Sequence, residues 1–332
     1  MTVPPLDVLG FGNAIVDVIS RAEEAFLDRH AMRKGGMTLI DEERAEAVYG
    51  AMGPGVEISG GSAANTMVGI AALGGRAGFI GKVRDDELGG IFAHDIRAAG
   101  VAYATPPAAS GPATARCLIL VTPDGERTMN TYLGAAQDLS PADVDEGMVA
   151  GAKVTYLEGY LWDPPPAKEA FLKAAAIAHA AGRTVSLTLS DAFCVGRYRA
   201  EFLNLLRAGT VDLVFANEAE LMSLYETDFD TALAQLRQEA RHAVVTRSEK
   251  GALALSGGDM VAVPAFPVAK VVDTTGAGDL FAAGYLHGFA QNMPAGECLA
   301  LGALCAAEII SHIGARPERG LKDYATENGL RV

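Results

Sequence analysis

The residues best suited to chemistry form one run, Asp273-Thr274-Thr275-Gly276-Ala277-Gly278-Asp279. The small and apolar segment Leu280-Phe281-Ala282-Ala283-Gly284-Tyr285-Leu286 follows at once and reads as a helix. Gly276, Ala277 and Gly278 then lie where the unpaired amides and positive end of that helix converge, and such a place attracts an anion. A carboxylate beside it repels the phosphate that the amides attract, so Asp279 reads as a reactant. With a substrate hydroxyl between it and a terminal phosphate, Asp279 takes the hydroxyl proton while the amides stabilise the transferring phosphoryl group. The helix end is expected to keep Asp279 ionised, starting from an ordinary value of about 3.9. Taken alone, a Gly-Ala-Gly is equally an ordinary loop and helix cap.

Three further stretches carry polar groups of similar interest. In Ile58-Ser59-Gly60-Gly61-Ser62-Ala63-Ala64-Asn65-Thr66 the glycines allow close backbone approach, and Asn65 can both donate to and accept from adjacent sugar hydroxyls. A tight loop packed on a helix explains the same residues. Asn13 and Asp17 interrupt an apolar segment, and buried polar groups need partners, either a polyhydroxylated ligand or their own turns. Asn217 and Glu220 stand one helical turn apart after a strand, where they can organise magnesium waters or simply cap a helix. Gly10-x-Gly12 opens like a dinucleotide fingerprint, but position 15 is Ile and that reading fails.

The elements that must hold these groups follow an alternating order. Leu6 to Gly12 reads as a buried strand, Ala77 to Val83 as another, and Leu88 to Ala98 as a helix. Ala115 to Val121 and Arg127 to Leu133 flank the turn Pro123-Asp124-Gly125, a hairpin expected in a small sheet over the site. Beyond residue 150, strands at 153–158, 184–189, 212–215 and 243–246 alternate with helices at 168–181, 199–208, 218–226 and 231–237, and a hairpin covers 252–263. Such alternation implies a parallel sheet whose ligands sit beyond the carboxyl ends of its strands. Ala303 to Ile313 reads as an apolar helix, either walling an adenine pocket or packing in the core.

Composition removes several function classes. A net charge of -14 without basic clusters argues against nucleic acid and anionic membrane partners. Four scattered cysteines and six histidines without metal-ligand spacing argue against a disulfide framework or structural zinc. No apolar run spans a bilayer and no leader is evident, so the cytoplasm is the expected address.

Together, Gly60-Gly61-Ser62-Ala63-Ala64-Asn65 and Asp273 to Asp279 resemble the two signatures of the ribokinase-like (PfkB) carbohydrate and nucleoside kinases, over essentially the whole chain. The resemblance implies an α/β fold, a three-layer α/β/α sandwich with a mainly parallel central sheet and a small β-sheet lid. It implies one domain over 1–332, with lid segments near 13–42 and 111–135. ATP and Mg2+ are the implied cofactors, with a monovalent cation such as K+ left open. Asp279 then matches the catalytic base and Gly276, Ala277 and Gly278 the anion hole. Asn13, Asp17, Gly60, Gly61 and Asn65 match sugar-binding positions, and Asn217 with Glu220 the magnesium motif. Thr246, Ser248, Thr275, Ala306 and Ile310 fall on the nucleotide side, and Arg127 reaches over the transferred phosphate.

One departure concerns Arg247-Ser248, where the family usually places glycine near the nucleotide phosphates. Gly12 to Asp17, Glu24 to Asp28, Tyr156 to Leu161, Leu187 to Phe193 and Ile309 to Pro317 look more like adenosine kinases than like ribokinases or fructokinases. Tyr160 is then the aromatic face for a base, with Leu39 and Leu133 as lid-side walls. A free-sugar kinase and a non-catalytic nucleotide- or sugar-binding regulator are the alternatives. The implied partner is a small nucleoside or sugar, and the chain is either a monomer or a homodimer.

Overall fold

The computed structural model describes residues 5–332. Its main sheet has nine strands. Their order is Asp259–Val263, Ala252–Ser256, His242–Thr246, Leu213–Asn217, Thr184–Thr188, Val154–Glu158, Val8–Phe11, Ala77–Ile80, Ala102–Tyr103. The last seven run parallel, and the hairpin 252–263 adds antiparallel strands at one edge.

Both faces of this sheet are covered, and the period of two along each strand decides which side chain goes where. Val8, Tyr156 and Phe215 pack with the helices Ser62–Ala72, Ala277–Ala290 and Ala295–Ile309 on one face. Their sequence neighbours Leu9, Leu157 and Val214 pack with Phe171 and Phe202 of the helices Pro165–Ala180 and Ala192–Arg207 on the other. The result is the three-layer α/β/α arrangement that the resemblance implies, built on the parallel sheet expected from the alternating elements.

A second, five-stranded sheet has the order Met37–Leu39, Arg127–Tyr132, Ala115–Val121, Ile15–Arg21, Gly55–Gly60. Val16, Val18, Leu118 and Leu120 point into the core under Phe26, Leu27 and Val48. The alternate residues Ile15, Asp17, Met37, Leu39, Cys117, Ile119, Met129 and Thr131 face the large cavity. One face of this sheet is therefore structural and the other is a cavity wall.

Some boundaries differ from the sequence expectation for local reasons. Ile58 to Gly60 belong to a strand of the small sheet, paired antiparallel with Ile15 to Asp17; its terminal glycines hide the strand signal. The helix expected from 199 begins at Ala192, because two helical segments join across a kink at Tyr198 (φ -121°). The helix expected over 303–313 runs Ala295–Ile309, starting right after Pro294. No described helix is long and apolar enough to cross a membrane.

The helices Ala277–Ala290 and Ala295–Ile309 meet at glycines. A Cβ on Gly284 would lie 2.7 Å from the backbone of Gly302. Overpacking of this kind costs about 1–3 kcal/mol, more than the gain of up to about 1 kcal/mol from replacing glycine within a helix. Gly284→Ala is expected to lower the urea midpoint accordingly. Gly90→Ala, exposed in the helix Glu87–Ala98 with no atom within 4 Å of a new Cβ, is expected to raise it.

Candidate active site

The cavity, about 750 Å³, lies between the carboxyl ends of the parallel strands and the inner face of the small sheet. Glu158, Thr188, Asn217 and Thr246 end four adjacent strands and all line it. Gly276 caps the helix Ala277–Ala290 with φ 77°, a left-handed conformation suited to glycine. The Ala277 amide donates back to Thr274 O at 3.2 Å, closing the turn. A Cβ on Gly278 would meet open space.

Asp279, in the first turn of this helix, is held from the facing helix Ser62–Ala72. Its Oδ1 accepts from Ser62 Oγ at 2.6 Å and its Oδ2 from Asn65 Nδ2 at 3.1 Å. Desolvation raises its pKa above the ordinary value, only partly offset by Ser62, Asn65 and the charge of Arg316. At the cavity floor, loss of water outweighs the helix end that was expected to favour its charge.

Asn13 is buried and set by Glu158, whose Oε1 accepts from Asn13 Nδ2 at 2.7 Å. Glu158 Oε2 accepts from the Ala63 amide at 2.8 Å, and burial pushes its pKa up to about 7. Each of the two amides turns its nitrogen toward an acid, Asn13 to Glu158 and Asn65 to Asp279. The Oδ1 atoms of Asn13 and Asn65 are thus left as buried acceptors with no donor among the described residues. Asp17 adds a further acceptor from the small sheet, its pKa raised to about 6 by desolvation against the pull of Arg316 and Arg127. Gly61 (φ 98°) is held so close to Asn13 O that no Cβ fits.

Tyr160 is held beside the cavity by its amide on Ser190 Oγ (3.0 Å) and its hydroxyl on Ser190 O (3.2 Å). Phe193, 82% exposed, joins it, and Met37, Leu39 and Leu133 line the small-sheet side.

Of the residues singled out in the sequence, the structure gathers Asn13, Asp17, Leu39, Gly61, Asn65, Leu133, Tyr160, Asn217, Glu220, Thr246 and Thr275 to Asp279 around this one space. Gly60, Arg127, Ser248, Ala306 and Ile310 are outside its lining, each for a visible reason. Gly60 passes beneath the Asp17 carboxylate, where a Cβ would collide. Arg127 is buried and committed to Asp273 at 2.5 Å. Although burial pulls Asp273 upward, the Gly314 amide, Thr275 and Arg127 hold its pKa below the ordinary range. Ser248 adopts φ 51°, a conformation for which glycine is the easier residue. Ala306 packs against the core, and Ile310 contributes its carbonyl, which accepts from the Val272 amide at 2.8 Å.

Asn217 and Glu220 form a reciprocal cap. Glu220 accepts from the Asn217 amide at 3.0 Å and from Asn217 Nδ2, and burial raises its pKa to about 7. Among the described residues no three His, Cys, Asp or Glu side chains gather as a metal-binding group. The pair fits an outer contact with the waters of a cation, since both carboxylate oxygens are already engaged. Sequence reasoning gave no site role to Ser62, Glu158, Phe193 and Arg316, although each lies inside a stretch singled out there: 58–66, 156–161, 187–193 and 309–317.

The pattern of the pfkB family carbohydrate kinases matches residues 39–319. A solved probable sugar kinase from Rhizobium etli is 54% identical, with a TM-score of 0.92 over 99% of this chain and 100% of that one. A solved adenosine kinase from Sinorhizobium meliloti is 55% identical, with a TM-score of 0.90 over 98% and 99%. Fructokinase-1 of rice (Oryza sativa subsp. japonica) is 31% identical over 244 residues, covering 71% of this chain and 75% of that protein.

Asp17 gives a pH test of the geometry. Its pKa is raised in the folded protein, so folding binds a proton more tightly and stability falls as pH rises from about 4 through about 6. The full difference is about 3 kcal/mol, reduced because Asp17 stays partly open to the cavity. Asp17→Asn is expected to stabilise the chain by about 1–3 kcal/mol at pH 8 and to have no effect near pH 4. Equal changes at both pH values in urea unfolding would exclude a desolvated carboxylate.

Proposed function

This chain belongs to the pfkB family of carbohydrate kinases, and within it we propose an adenosine kinase that transfers the γ-phosphoryl group of ATP to the 5'-hydroxyl of adenosine, giving AMP. The observation that carries the reading is the combination, in one cavity, of fixed hydroxyl acceptors with an apolar annex. Asn13 Oδ1, Asn65 Oδ1 and Asp17 suit the donors of a ribose. Tyr160 and Phe193, with Met37, Leu39 and Leu133 opposite, suit the faces of a base. The likeness to the Sinorhizobium adenosine kinase supports the same acceptor.

In this reading Ser62 and Asn65 orient Asp279 toward the 5'-hydroxyl. Asp279 accepts its proton while the amides from Gly276 to Gly278 take the charge of the transferring group. Positioning supplies much of the rate, because the reactants are confined between two helix ends. Magnesium, carried with the triphosphate, neutralises phosphate charge, and Asn217 and Glu220 would hold its waters. Thr246 and Thr275 take the nucleotide side. The strands from 13–42 and 111–135, joined by Gly55–Gly60, serve as the lid of a single domain over 1–332, excluding water when they cover the acceptor. A triphosphate donor and buried, unpaired Cys117, Cys194, Cys298 and Cys305 suit a reducing cytoplasm.

A free-sugar kinase is the second reading, favoured by the likeness to the rice fructokinase and the Rhizobium sugar kinase. It uses the same acceptors and leaves the annex without a ligand.

With magnesium ATP, kcat/KM for adenosine is expected to exceed that for ribose and fructose by at least about 100-fold. Phe193→Ala is expected to raise KM for adenosine about three- to tenfold while leaving sugar turnover alone. Asp279→Asn should lower kcat by about 10²–10⁴ with little change in nucleoside binding. A free sugar that outperforms adenosine overturns the nucleoside reading, and near-normal turnover in Asp279→Asn overturns the base.

A further inference from the structure

Arg316 enters from the turn after the helix Ala295–Ile309 and makes no contact with the cavity itself. Its Nη2 donates to Ser59 O and, at 2.7 Å, to Ser59 Oγ. Ser59 in turn donates to Asp95 Oδ2 from its amide (2.8 Å) and its hydroxyl (2.6 Å). Ser59 stands opposite Val16 in the small sheet, one residue from Asp17, and immediately precedes the Gly60-Gly61 turn. The same turn that carries Arg316 presents the Gly314 amide to Asp273 at 3.0 Å and packs Ala315 on Gly276. One short segment thus braces the sugar-side glycines and the anion turn together.

The guanidinium is also poorly paired for its place. The side chain is half-buried, yet Nη1 is closed from solvent with no hydrogen-bond partner among the described residues. A cation so placed must be stabilised by charge at longer range, and the carboxylates whose fields it feels are Asp17, Asp95 and Asp279.

We propose that Arg316 is the positioning residue of the phosphoryl-transfer site, bracing Ser59 and supplying the positive charge that balances Asp279 and Asp17. The role rests on the kinase reading above and adds to it a residue that touches neither substrate.

Other charges bear on the same carboxylates. Asp17 and Asp279 repel each other, and Glu158 faces Asp279 from the strand Val154–Glu158. Arg127 attracts Asp17 from the small sheet, where Cys117 lies beside it. Tyr156 and Tyr160 face Asp279 as neutral phenols. Against three acids, Arg127 serves Asp273 first, whereas Arg316 makes no hydrogen bond to an acid among the described residues.

Removing the charge is expected to make both carboxylates harder to ionise. In Arg316→Met the acid limb of kcat/KM, measured with the acceptor the wild type prefers, should move up by about one pH unit. Arg316→Lys should restore most of that shift while recovering less of KM, because an ammonium cannot reproduce the forked contact with Ser59. Should the Met variant fail to fold, Arg316→Gln keeps a donor for Ser59 without the charge and carries the same expectation. NMR titration of 13Cγ-labelled aspartates, assigned with Asp17→Asn and Asp279→Asn, reads the same carboxylates without any turnover. Upward movement of both resonances' midpoints supports the proposal, and unmoved midpoints in a folded Met or Gln variant overturn it. If the wild type phosphorylates no acceptor the kinase reading falls, and the titration alone still decides the role of Arg316.

Discussion

A carboxylate held between two facing helix ends is the constraint on which this molecule turns. Asp279 sits in the first turn of Ala277–Ala290 and accepts from Ser62 and Asn65 in the first turn of Ser62–Ala72. Helix starts stabilise negative charge, but the site also strips water from the acid, and desolvation is the larger effect here. The surroundings therefore read as a set of devices that keep a costly charge in place. Close packing of the two helices, with Gly69 against Ala283 and Leu280, fixes the distance between their ends.

The same logic extends through the polar half of the cavity. Glu158 is almost fully buried, yet three donors converge on it from Asn13 and the Ala63 amide. By taking the nitrogen of Asn13 it forces the oxygen to face elsewhere, just as Asp279 does for Asn65. Two acids thus convert two amphoteric amides into acceptors. That the cavity presents bare amide oxygens follows from this outer layer of contacts more than from the amides themselves.

The legible parts of the site were those in which chemistry and chain run together. The strip Asp273 to Asp279 contains its glycines, its helix start and its acid in one stretch, and Asn13, Asp17, Gly61 and Asn65 announce themselves as polar or glycine positions in apolar runs. The alternating strands and helices were legible because both faces of the main sheet are buried, giving compact apolar strands between amphipathic helices. What escaped depends on contacts distant in sequence. Glu158 acts on Asn13 across 145 residues and Arg316 on Ser59 across 257. Arg127 was expected over a phosphate; in the structure its guanidinium pairs with Asp273, 146 residues away, a contact the sequence did not announce. Ala306 sits on, and Ile310 just past, a helix whose apolar composition fits a pocket wall and a core equally, and packing alone decides between them.

The division of labour between the two sheets bears on how such a site selects its acceptor. In the proposed transfer the anion turn and Asp279 need only a hydroxyl and a phosphoryl donor, so they are indifferent to what carries the hydroxyl. The small sheet is different, because alternate residues of four of its strands make the opposite wall, and each is free to vary without disturbing the core-facing set. Ile15, Asp17 and Met37 lie ahead of the family-matched region 39–319, while Leu39, Ile119 and Met129 lie within it. Arg127 and Arg316 then tie this wall to the rest of the site, one through Asp273 and the other through Ser59. A fold arranged this way can change its substrate by repainting one face of one sheet, provided the charges that cross between the two layers remain in balance.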